Sequence, residues 1–216
     1  MVLRVLSLTL FLGSLFFAQG AISAPKTQPA VGPSPPPIES LIKAKVYKEV
    51  VEDRDVISSA SLDSVPGEEE LKHYHFYAVM LVRASVKQTQ DTLTNYPQYA
   101  KVIPYVDQSD YDPKTQRLKI QGGIFKYVMS STVQFENRSD RWIHYSIVQG
   151  HFTGMEGDIF FETSDAKGTL VYLRGGVSGT GFPPAFIIEK GAEIVLGFAG
   201  KRLRNLIQDQ KNIAQN

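Results

Sequence analysis

The sequence predicts an α+β fold in which a curved antiparallel sheet wraps around one long C-terminal helix, with two short helices after the first main strand. The prediction rests on a wide-faced helical pattern at the end of the chain, a run of short strands before it, and a pair of proline-bracketed turns of helix near the start of that run. Residues 182–212 carry the first of these. Proline at the first helical position loses no hydrogen bond, because that N–H has no partner inside a helix, so Pro183-Pro184 places the start near Pro184. On a wheel of 3.6 residues per turn, Ile187, Ile188, Ala192, Ile194, Val195, Leu196, Phe198, Leu203 and Ile207 fill well over half the circumference. A helix on a flat sheet needs only a narrow stripe, so this arc predicts a helix sunk into a concave surface. Gly191, Gly197 and Gly200 each cost about 1 kcal/mol relative to alanine and therefore suggest close backbone approach or space left open.

Taken in order, the chain begins with a short basic stretch (1–4), an apolar core (5–17) and a small-residue exit (18–24). The apolar run is shorter than the ~20 residues a membrane-spanning helix needs. Residues 1–24 therefore read as a signal peptide, cut after Gly20 or after Ala24. The expected compartment is extracytoplasmic, with the periplasm favoured. Residues 25–37 hold six of the twelve prolines and read as an extended linker. Loss of Arg4 with the leader would leave 22 basic and 22 acidic residues, which gives no electrostatic case for nucleic acid. No cysteine is present, so neither a disulfide framework nor a thiol nucleophile is available.

The folded domain is expected over 38–216. Within 38–60, Lys43-Ala44-Lys45-Val46-Tyr47-Lys48-Glu49-Val50-Val51, the charged Glu52-Asp53-Arg54-Asp55 and then 56–60 suggest two short strands joined by a charged turn, an edge hairpin, since lysines guard sheet edges. The main body is expected over 73–212. Residues 64–72, with Pro66-Gly67, read as a polar connection, and 73–84 as the strongest strand, apolar on both faces and hence central. Residues 89–94 and 96–104, bracketed by Pro97 and Pro104, read as the two short helices. Strands are expected at 106–111, 117–122, 127–136, 142–149, 158–163 and 170–175, with polar turns between them and a flexible crossover at 175–181.

This arrangement resembles the START-like helix-grip (SRPBCC) superfamily, in particular its polyketide cyclase/dehydrase or coenzyme Q-binding Coq10-type branch. The resemblance covers roughly 73–210. It is carried by Arg83-Ala84-Ser85-Val86 leading into 89–104, by Gly150-His151-Phe152-Thr153-Gly154-Met155-Glu156-Gly157, and by the final helix. Asp158-Ile159-Phe160-Phe161 departs from the aromatic, often Trp, that follows that loop in the family. The resemblance implies a binding protein for a lipid or other apolar small molecule, held between sheet and helix; transient membrane contact is a separate expectation, and no particular protein partner is indicated. Tyr96, Tyr99, Met129, Ser131, Tyr145, Phe160, Tyr172, Ile188 and Val195 are the residues expected to line that space.

No catalytic residue and no cofactor is called for. His73 and His75, two apart on a strand, share a face as a metal pair would, but no further metal motif accompanies them and no metal is expected. Gly176-Val177-Ser178-Gly179-Thr180 fails the nucleophile-elbow pattern at its last position. One alternative is a cyclase- or hydrolase-like enzyme on the same fold, which requires His144, His151 or Glu156 to converge in the pocket. A calycin-like barrel is disfavoured by the paired short helices, and a cavity-less protein-interaction module is a further alternative.

Overall fold

The computed structural model describes residues 34–53, 55–124, 127–166, 168–180, 182 and 185–213. The expected leader and most of the linker lie outside them. Eight strands form one antiparallel sheet: β1 (Ile57–Val65), β2 (Glu68–Val82), β3 (Val106–Asp112), β4 (Arg117–Ile124), β5 (Tyr127–Ser139), β6 (Trp142–Gly150), β7 (Glu156–Ser164) and β8 (Gly168–Gly179). Their order across the sheet is β1-β2-β8-β7-β6-β5-β4-β3. The helices are α1 (Ala44–Glu52), α2 (Val86–Leu93), α3 (Tyr99–Val102), which follows a 3-10 turn at Tyr96–Gln98, and α4 (Ala185–Ile213). The α+β fold, the two short helices after the first main strand and the long C-terminal helix on a curved sheet are all as expected from sequence.

Three local expectations are corrected. Residues 43–51, expected as one arm of an edge hairpin, fall instead in helix α1 (Ala44–Glu52) with Lys43 as its N-cap. The β-branched residues suggested a strand, but Val46, Tyr47, Val50 and Val51 recur at helical spacing, and Lys45–Glu49 and Lys48–Glu52 pair at i,i+4. Residues 64–72 are not a loop: β1 and β2 stay paired to Ser64↔Lys72 and turn only at Pro66-Gly67, where Gly67 has φ +83°. The crossover at 175–181 is strand through Gly179, which pairs with Lys72.

Alternation along β2 places Phe76, Met80 and Val82 on one face of the sheet and Tyr77, Val79 and Leu81 on the other. The two faces bury different cores. On the concave face, Met80, Val82, Leu93, Phe161, Val171, Leu203 and Ile207 pack together, so α4 and α2 close this layer. On the convex face, Ile38, Val50, Val79, Leu81, Phe160, Leu170 and Tyr172 form a second core beneath α1. Ile38 is fixed there through its N–H, which donates to Glu162 at 2.7 Å.

α2 begins with a full capping box, Ser85 accepting from the Gln88 N–H while the Gln88 side chain accepts from the Ser85 N–H. α4 lies chiefly against β1 and β2. Ser58 Oγ donates to the Glu193 carbonyl at 3.2 Å, and the Leu62 N–H on edge strand β1 donates to Glu189 at 2.8 Å. The helix thus satisfies part of an edge that would otherwise be open.

Candidate functional site

The concave face is apolar beyond the layer that α4 closes. Phe76 on β2, Val133 on β5, Ile159 on β7 and Leu173 on β8 pack against the inner core yet remain half-buried. Ile147 on β6 does the same against the Tyr74, Met155 and Ile188 cluster. Side chains of this type thus give the concave face of the middle strands an apolar layer that keeps some exposure.

Tyr145 is one polar group directed to that face. Its neighbours across the sheet are Gly157 on β7 and then Gly175 on β8. A Cβ at Gly157 would stand 2.4 Å from the Tyr145 ring, and one at Gly175 would stand 2.2 Å from its hydroxyl. The two glycines therefore make the bed in which the ring lies, and its hydroxyl donates to the Arg174 carbonyl at 3.0 Å. Burial pushes this phenol well above its usual pKa, so it stays protonated. A buried hydroxyl held in this way can orient the polar end of an otherwise apolar ligand.

The residues expected to line the pocket divide by face. Tyr145 and Ile188 belong to the concave cores, and Met129 and Ser131 lie on the concave side of β5 by alternation with Val133 and Phe135. Val195 shares the α4 stripe of Ile188, Ala192 and Ala199. Tyr96 is also concave but is tied into the core, its ring stacked on Phe135 at 4.3 Å between centroids and its carbonyl accepting from Ser109 at 2.7 Å. Tyr99 packs beside it and donates to the Leu93 carbonyl. Phe160 and Tyr172 are corrected: they point to the convex face and stack on each other beneath α1. The reason is parity, since Ile159 and Phe161 take the concave positions of β7 and Leu173 that of β8.

The wide apolar arc of α4 is not wholly gripped. Phe186, Ile194 and Phe198 are exposed, at 69%, 37% and 52%. The glycines of this helix also differ. A Cβ at Gly200 would meet Val56 at 2.6 Å, whereas one at Gly197 would find only Ser58 Oγ at an ordinary 3.6 Å.

The convex face carries a polar cluster that sequence reading did not assemble. Asp158, 8% exposed, accepts from Trp142 Nε1 at 2.8 Å and from His144 Nδ1 at 3.1 Å on one oxygen. Its other oxygen accepts from Arg174 Nε and Nη2 at 3.1 and 2.9 Å. Burial alone would raise its pKa, but the hydrogen bonds from Trp142, Arg174 and His144 outweigh that and hold it below the usual carboxylate range. The signal was present as period-2 spacing of Trp142 and His144, but pairing with Asp158 and Arg174 is a matter of register. His144 and Glu156 therefore lie on the convex side, away from the α4 face, and His151 is held at the Ser130 backbone. The convergence that an enzyme in the concave pocket would require is not formed by these residues. His73 and His75 do share a face, with ring centroids 5.6 Å apart. Among the described residues no group of three or more His, Asp or Glu is arranged to hold a metal.

Comparison with solved structures agrees with this architecture. The chain is similar to a START superfamily protein from Mycobacterium smegmatis, with TM-score 0.54 and 16% identity over 63% of this chain and 98% of that one. It is also similar to a protein from Thermus thermophilus, with TM-score 0.53 and 13% identity over 61% and 94% of the two chains. The protein XoxI from Bacillus cereus gives TM-score 0.51 and 15% identity over 63% and 97%. No protein-family model matches the sequence, and no curated protein matches it. The fold is that of the START-like helix-grip proteins. At these identities the likeness defines the fold alone.

Proposed function

We propose that this chain is a secreted binding protein that holds a lipid or another apolar small molecule between the concave sheet face and α4. The observation that carries the reading is the half-buried apolar layer of Phe76, Val133, Ile147, Ile159 and Leu173, which continues the closed core across the concave face of the middle strands. Apolar walls with an oriented hydroxyl among them suit a ligand with a small polar end. Secretion is supported by the composition of residues 1–24. Transient membrane contact is supported by the exposed Phe186, Ile194 and Phe198, which share a face of α4 with Lys190 and Lys201.

The test is native mass spectrometry of mature protein taken from the extracytoplasmic fraction of its own source, followed by organic extraction of what it carries. A stoichiometric lipid, quinone or similar compound is the expected result. Ligand-free protein whose melting temperature is unmoved by a panel of lipids and quinones would overturn the reading.

A further inference from the structure

The convex face holds a groove of about 410 Å³, within the ~300–1,000 Å³ range of small-molecule sites. Two cross-strand rows build it. One runs Tyr77, Arg174, Asp158, His144 across β2, β8, β7 and β6; the next runs His75, Gly176, Glu156, Ser146. Gly176 contributes no side chain between His75 and Glu156, so the floor of the groove there is backbone. The His73 imidazole flanks that floor, 3.5 Å from where a Cβ would stand. It is set by Ser178 Oγ at 3.0 Å from its Nδ1, and it stacks beside His75, whose own Nδ1 is 3.4 Å from Asp63.

The charge arrangement restricts what could bind. Asp158 already engages Arg174, Trp142 and His144. Among the described residues no cation pairs with the Glu156 carboxylate, which lines the groove opposite the two imidazoles. A multiply charged anion would have to approach that carboxylate, and an ammonium would have to approach the Arg174 guanidinium. A ligand made of hydroxyl groups meets neither conflict, because each hydroxyl donates to a carboxylate and accepts from an imidazole or guanidinium. The paired flat imidazole rings and the bare glycine floor also suit the C–H face of a sugar ring.

We propose that this groove is a second binding site, for a neutral mono- or disaccharide, with Glu156 and His75 as its contacting groups. It lies on the face opposite the concave pocket and does not depend on that pocket's occupant.

The test is titration of isotopically labelled full-length mature protein with glucose, N-acetylglucosamine and cellobiose, with inorganic phosphate and spermidine as comparison probes. The expected result is a saturable shift of the Glu156 amide and the His75 imidazole with at least one of the sugars. Glu156→Gln and His75→Gln should each weaken it at least tenfold while leaving the melting temperature unchanged, since both side chains are exposed. Absence of a saturable shift with all three sugars, a response to phosphate or spermidine alone, or sugar binding unaltered by both substitutions would overturn the proposal.

Discussion

Tyr145 on β6 reaches over the whole width of β7 to donate its hydroxyl proton to the Arg174 carbonyl on β8, 3.0 Å away. The contact exists because the two intervening positions, Gly157 and Gly175, are bare. Gly175→Ala should force the ring out of its place, at a cost of about 1–3 kcal/mol. Tyr145→Phe should cost about 1–2 kcal/mol through loss of a buried hydrogen bond. Urea denaturation of each variant and of the pair checks this. Because the alanine already breaks the hydrogen bond, the double variant should cost less than the sum of the two.

Two glycines of α4 should respond in opposite directions. Gly197→Ala meets only an ordinary contact and should stabilise by about 0.5–1 kcal/mol through helix propensity. Gly200→Ala drives a Cβ onto the branched, stiff Val56 at 2.6 Å, and the clash should outweigh the same propensity gain by about 1 kcal/mol or more. Thermal melts of the two single variants decide the sign at each position.

Asp158 should make stability depend on acid. Its folded-state pKa is depressed, so its contribution is fully present above the ordinary aspartate value, about 3.9, and is lost as pH falls through the lower folded value. Asp158→Asn should lower stability at pH 7 by about 1–3 kcal/mol, because the Arg174 guanidinium loses its partner. The variant should also lack this part of the acid loss below pH ~4. Chemical denaturation of both proteins between neutral and acid pH measures the difference.

The N-terminal segment around α1 should be a structural part of the domain. Ile38 is fully buried on the convex face, so Ile38→Ala should cost about 2–4 kcal/mol. Equilibrium unfolding measures it. A cost below about 0.5 kcal/mol would mean that the convex core closes without this residue.

Much of this architecture was legible in the sequence. The order of strands, the paired short helices between Ser85 and Pro104 and the long helix after Pro184 follow from local period, proline placement and turn chemistry, all of which act between near neighbours. The same local logic failed at residues 43–51, where β-branched composition outweighed the helical spacing of Val46, Val50 and their neighbours.

What the sequence by itself determined is which residues share a face: Ile159 with Phe161, Phe160 with Asp158, His73 with His75. What only the tertiary structure decided is which face is concave, and hence that Phe160 and Tyr172 lie beneath α1 while Tyr145 faces the α4 side. It also decided that Asp158 meets Trp142, His144 and Arg174, residues drawn from the two strands that flank its own. The physical reason is that alternation fixes parity within one strand, whereas the direction of curvature and the register between strands come from packing two different cores on the two sides of one sheet.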